Sequence, residues 1–140
     1  MAKTINQKIL FKNAKAKDLY DLYMNSKKHS KATGAPAVIS SKEGGSYSAH
    51  NGWITGENLK LVKDQLILQT WRGKSWSEKT PDSIFMIFLE PKGKNVVLHA
   101  VHSNIPDKEY EGINKGWHQH YWEPWKKYLS GKAITESIKM

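Results

Sequence analysis

The sequence predicts an α+β fold in which a curved antiparallel sheet of six to seven strands wraps around one long C-terminal helix, with two short helices near the start of the chain. Three observations predict it. Residues 37–104 read as strands and turns throughout. Residues 107–129 carry an aromatic stripe at helical spacing. Between Phe11 and Pro36 lie two short helical patterns.

Taken in order, Ile5 to Phe11 is a first strand, and Asn13 is placed to cap the helix that follows. Ala16, Leu19, Tyr20 and Tyr23 recur at helical spacing, so one face of that helix is buried. Ser26 is placed to cap a second, short helix that stops at Gly34. Ala37 to Ser40 and Ser46 to His50 are strands either side of a Lys42-Glu43-Gly44-Gly45 turn. Asn51-Gly52 signals a two-residue hairpin, because both central positions of a type I′ turn need positive φ. Trp53 to Leu61 returns, Lys63-Asp64 turns the chain, and Leu66 to Arg72 follows. After a polar loop from Gly73 to Asp82, Ser83 to Leu89 and Val96 to Ser103 form another hairpin around Pro91-Lys92-Gly93-Lys94. Sequential hairpins build a meander.

The last element runs from about Asp107 to Leu129. Its apolar positions are Tyr110, Ile113, Trp117, Tyr121, Trp125 and Tyr128, a stripe of helical period. Trp122 lies off this stripe and is expected at the surface. Pro124 removes a backbone hydrogen bond toward His120 and should loosen the helix locally. Gly131 is placed as a C-cap. The helix is the long amphipathic partner that the apolar face of the sheet requires.

Composition narrows the function classes. The 140 residues fit one domain, 1–140, with a core over about 5–129. There is no Cys, which excludes disulfides, thiolate metal sites and a Cys nucleophile. The N-terminal residues do not form a signal peptide, and the longest apolar run, Ile84 to Leu89, is far short of a membrane span. These features point to the cytoplasm and away from membrane insertion. The net charge of +9 invites a nucleic-acid reading. Arg72 is, however, the lone arginine, and the lysines are scattered along the chain, often beside acids. Phosphate and base readout favour the bidentate fork of Arg, so no nucleic-acid partner is expected.

Several runs carry a family resemblance. They are Gly44-Gly45-Ser46-Tyr47, Asn51-Gly52-Trp53-Ile54-Thr55-Gly56-Glu57, Trp71-Arg72 with Trp76, His102-Ser103-Asn104-Ile105-Pro106, and Gly116-Trp117 with Tyr121 and Leu129. In this order they resemble the C-terminal domain of the activators of heat-shock protein 90 ATPase, within the START-like (SRPBCC, birch-pollen-allergen) superfamily. The resemblance spans Ile5 to Leu129 and implies a helix-grip fold with a cavity between sheet and C-terminal helix. It also implies that Arg72 pairs structurally with a carboxylate.

Alternation along residues 53–61 puts Trp53, Thr55, Glu57, Leu59 and Leu61 on one face, assigned to the concave side because it holds the apolar residues. Leu98, Ala100 and His102 share a parity in the last strand. The expected cavity lining is Tyr47, Trp53, Glu57, Leu59, Trp71, Leu98, Ala100, His102, Trp117 and Tyr121. Apolar pockets are commonly lined by aromatic side chains, although each of these rings also serves as core. Glu57 and His102, if both inward, would make an acid–base pair. No histidine spacing suits a metal, no Gly-rich loop has phosphate-binding form, and no cofactor is expected.

Three functions follow. The first is a non-catalytic module binding a lipophilic small molecule in the cavity. The second is a co-chaperone-like module for a heat-shock ATPase, implied by the resemblance. The third is a cavity enzyme of cyclase or hydrolase type, which depends on Glu57 and His102 meeting.

Overall fold

The computed structural model describes residues 2–138. Strand β1 (Ala2–Phe11) is followed by α1 (Ala16–Met24) and α2 (Ser26–Thr33). Then come β2 (Val38–Ile39), β3 (Ser46–Ala49), β4 (Ile54–Val62), β5 (Leu66–Gly73), β6 (Ser83–Lys92) and β7 (Asn95–Pro106). A 3₁₀ turn (Asp107–Glu109) leads into the C-terminal helix, whose parts are α3 (Tyr110–Trp117), a π-helical segment (His118–Trp122) and α4 (Glu123–Ile138). The strands form one seven-stranded sheet of order β1-β7-β6-β5-β4-β3-β2, antiparallel at every pairing. The expected helix-grip architecture, with its two short helices, is the one observed.

The core lies between the concave face and the helices. Ile5, Ile9, Phe11, Ile67, Phe85, Ile87, Leu89 and Leu98 come from the strands. Leu19, Leu22 and Tyr23 come from α1, and Trp117, Tyr121, Trp122 and Trp125 from the C-terminal helix. Each large aromatic removes on the order of 200 Å² from water, which gives a sheet of this size a stable partner. Stacking orders the rings: Phe85 lies parallel to Trp117 at 4.1 Å, and Trp117 to Trp122 at 5.5 Å.

Local chemistry explains most boundaries. Helix α2 stops at Gly34, whose φ of 80° closes the last turn. Asn51 and Gly52 both have positive φ, as expected, but His50 does too and the last ladder pair is Ala49 with Ile54, so the hairpin closes through four residues, His50 to Trp53, rather than the expected two. Asn13 does not cap α1: it sits at φ 52° in the preceding turn, and Lys15 occupies the N-cap without a side-chain bond. Asn25, rather than Ser26, caps α2 through the Lys28 N–H, while Ser26 Oγ accepts from the Ile39 N–H. Gly131 does not end the C-terminal helix, which continues to Ile138.

The π-helical segment sits where Pro124 withholds an N–H from the His120 carbonyl. It inserts one residue into the helical phase. Tyr121 and Trp122 therefore both turn inward, and Trp122 is fully buried rather than exposed. Its indole N–H donates to Gln7 Oε1 on β1 at 2.6 Å.

Candidate functional site

Strand β4 presents the opposite face from the one its composition predicts. Tyr47 pairs with Gly56 and Ala49 with Ile54, so Ile54, Gly56 and Asn58 point to the concave side. Trp53 is 58% exposed and Leu59 45%, and Glu57 is also exposed. The register shifts between Asn58 and Lys60, leaving Leu59 as the extra residue of a bulge. Only beyond the bulge does the phase reverse, and Leu61 then packs against the core. The inward positions hold a glycine and a polar residue, which is why counting apolar residues chose the wrong face. A Cβ at Gly56 would collide with the Thr70 carbonyl oxygen and come within 2.7 Å of the Tyr47 ring. Asn58 is buried in a relay: Tyr23 Oη donates to Gln69 Oε1 (2.9 Å), Gln69 Nε2 donates to Asn58 Oδ1 (2.9 Å), and Asn58 Nδ2 donates to the Ser40 and Lys42 carbonyls.

His102 does face inward, with no exposed surface, but it meets no carboxylate. The Trp117 indole N–H donates to His102 Nδ1 at 3.1 Å. An indole nitrogen only donates, so Nδ1 is the acceptor and the proton resides on Nε2. Nε2–H then donates to Ser83 Oγ at 2.8 Å, and Ser83 Oγ donates to the Trp71 carbonyl at 2.7 Å. Burial holds the His102 pKa down at about 3. His29 is a second neutral, buried imidazole, lowered to about 4 by the same cause. Its Nδ1–H donates to the Tyr23 carbonyl (2.9 Å), and its Nε2 accepts from Tyr121 Oη (3.0 Å). Both networks are closed, joining helix to sheet and helix to helix. The acid–base pair proposed for a cavity enzyme does not form, because Glu57 lies on the other face of the sheet.

The cavity is a cleft of about 330 Å³ between the β3–β4 turn and α3. Four of the expected residues line it: Trp53, Trp71, Trp117 and Tyr121. Tyr47, Leu98, Ala100 and His102 are buried behind it in the packed core, and Glu57 and Leu59 lie outside it. Sequence reasoning missed His50, Ile54, Ile113 and His120, together with the bare backbone of Gly112 and Gly116. The i,i+4 pair Gly112 and Gly116 was the available signal, since two glycines one turn apart leave one helix face without side chains. His50 adopts φ 51°, which aims its ring across the cleft against Tyr121 (5.4 Å) and His120 (5.6 Å). Burial, and then the nearby His120, lower the His50 pKa.

Arg72 binds the loop that follows its own strand: it donates to Asp82 Oδ1 (3.0 Å) and to the Thr80 and Ser77 carbonyls. The expected structural pairing with a carboxylate is therefore present. Among the described residues no group of three or more His, Asp or Glu is arranged to hold a metal ion, and no helix is long and apolar enough to cross a membrane.

A curved antiparallel sheet gripping a C-terminal helix, with an aromatic cleft between them, defines a helix-grip protein of the START-like class. The family model described as Activator of Hsp90 ATPase homolog 1-like protein matches residues 13–130, and the chain belongs to that family. It is 30% identical over 106 residues to the human activator of 90 kDa heat shock protein ATPase homolog 1, covering 76% of this chain and 31% of the relative. It is likewise 30% identical over 100 residues to the Dictyostelium discoideum homolog, covering 71% of this chain and 26% of the relative. The chain thus spans about a quarter to a third of the length of these relatives. In fold it resembles an HSP90 activator from Plasmodium falciparum, with a TM-score of 0.80, 22% identity and coverage of 93% of this chain and 96% of that one.

Proposed function

We propose that this protein is a non-catalytic, cytoplasmic binding module, folded as one domain, that docks on a 90 kDa heat-shock ATPase and modulates its turnover. The observation that carries this reading is the 30% identity to named activators over about three-quarters of the chain. The closed hydrogen bonding of both inward histidines agrees with it, since each is spent on holding elements together. The test is a pull-down and an ATPase assay with the heat-shock protein of the same organism. A complex with a dissociation constant on the order of 10 µM or tighter is expected. Absence of binding at about a hundred times that concentration would end the reading.

A second reading is favoured by the cleft, whose aromatic lining and volume fall at the small end of ligand sites, roughly 300–1,000 Å³. In it, the protein holds a small lipophilic molecule against Trp53, Trp71 and Trp117. A Cβ at Gly112 meets nothing within 4 Å and Gly112 lines the cleft, so Gly112→Leu should fold normally and fill it. Titration with an apolar probe should change tryptophan fluorescence in the natural protein and not in that variant. An unresponsive natural protein would count against any ligand.

A further inference from the structure

The cleft is apolar within, and its polar groups gather at one rim. His50 and His120 stand there with ring centroids 5.6 Å apart, at 67° to each other. No nitrogen of either ring has a hydrogen-bond partner among the described residues, whereas the buried imidazoles of His29 and His102 each have two. Each ring therefore presents at least one unused N–H donor. Lys74 Nζ lies 5.5 Å from the centroid of the Trp53 ring, and the Lys74 backbone N–H donates to the Trp53 carbonyl at 2.8 Å. Among the described residues no carboxylate lines the cleft. His50 holds its place at a positive φ, a conformation in which the other four non-glycine positions are Asn or Asp. Such a backbone outlier at a cleft is where function is looked for.

We infer that the cleft selects an amphipathic monoanion, its flat apolar body lying against Trp53, Trp71 and Trp117 and its carboxylate received by His50 and His120 at the rim. This rests on the cleft reading given above. The volume of about 330 Å³ equals that of roughly eleven waters at about 30 Å³ each, enough for a fused bicyclic ring. A neutral body of that shape would fit equally well, but it would leave the rim donors without charged partners. The net charge of +9 draws anions toward the protein over longer range.

The experiment compares 2-naphthoate with the isosteric neutral 2-naphthamide on the full chain, by calorimetry at neutral pH. The acid should bind about tenfold tighter or more, since a hydrogen bond to a charged acceptor is roughly twice as strong as a neutral one. His120→Phe keeps a ring at the rim and removes its donors; with the His50 donor left, the acid-over-amide ratio should fall about threefold or more. His120→Lys restores a donor and should restore the ratio, which a merely structural role for His120 would not do. Equal affinities in the natural protein, or a ratio unchanged in His120→Phe, would overturn anion selection while leaving the cleft as a ligand site. Binding of neither compound would remove the cleft reading and this inference together.

Discussion

A single hydrogen bond, from the Trp117 indole to His102, decides what the most conspicuous buried histidine of this protein does. Because the indole only donates, the imidazole must stay neutral and accept on Nδ1, and its remaining proton is committed to Ser83. Trp125 offers a contrast on the same helix, since its buried Nε1 finds no partner among the described residues. Replacing each by Phe separates packing from hydrogen bonding. Trp117→Phe should cost about 1–3 kcal/mol more than Trp125→Phe, because it orphans a buried acceptor and the other does not. Urea unfolding of the two variants measures the difference; equal losses would show that the His102 bond adds nothing. The position of His102 on the inner face was legible from its parity with Leu98 and Ala100. Its partners were not, because Trp117 is 15 residues away and Ser83 is 19.

At the scale of elements, two one-residue insertions govern which side chains turn inward. The bulge at Leu59 reverses the phase of β4, and the π-helical segment at His118–Trp122 advances the phase of the C-terminal helix. The local loosening expected from Pro124 is present as that segment; the inward turn of Trp122 is its consequence. In β4, Gly56 is a position where an added Cβ would meet the backbone of the neighbouring strand. Gly56→Ala would drive a methyl group into the Thr70 carbonyl and the Tyr47 ring, neither of which is a flexible side-chain end. We expect a loss of about 1–3 kcal/mol or more, read as a lower unfolding midpoint. A neutral outcome would mean that the strands can separate there without penalty. The Asn58 relay makes a parallel case: Gln69→Leu leaves Tyr23 Oη and Asn58 Oδ1 buried and unpaired, and should destabilise by a similar amount.

For the whole molecule, the two closed imidazoles make stability depend on pH. His29 and His102 have folded pKa values of about 4 and about 3, against about 6.5 when unfolded. Between these limits the unfolded chain takes up protons that the folded one refuses. Their contribution is complete above pH 6.5 and is lost as pH falls toward 4 and then 3, by up to about 1.4 kcal/mol per pH unit for each histidine. The exposed carboxylates whose pKa values are lowered, Glu43, Glu90 and Asp107, stay charged over most of that window, so the slope from pH 6.5 to 5 belongs mainly to histidine. Denaturation midpoints measured over that range should decline in the natural protein and decline less steeply in His29→Gln, where His102 and the partly buried His50 still contribute. A flat profile in the natural protein would show that neither imidazole is held neutral.

Chain-local signals alone were enough for the order of strands and helices, the Asn51-Gly52 hairpin, the stop at Gly34 and the grip of sheet on helix. Turn residues act through their own φ preferences, and amphipathic periods act over neighbouring residues, so these features need no distant partner. The inner face of β4, the burial of Trp122, the pairing of His102 with Trp117 and the meeting of His50 with His120 at the cleft rim were decided only in the tertiary structure. A strand has a period of two and a helix one of 3.6, so one inserted residue turns every later side chain to another face without altering composition. Whether such an insertion forms depends on what packs against it, here a glycine that lets two strands close together and a ring of tryptophans that draws the helix inward.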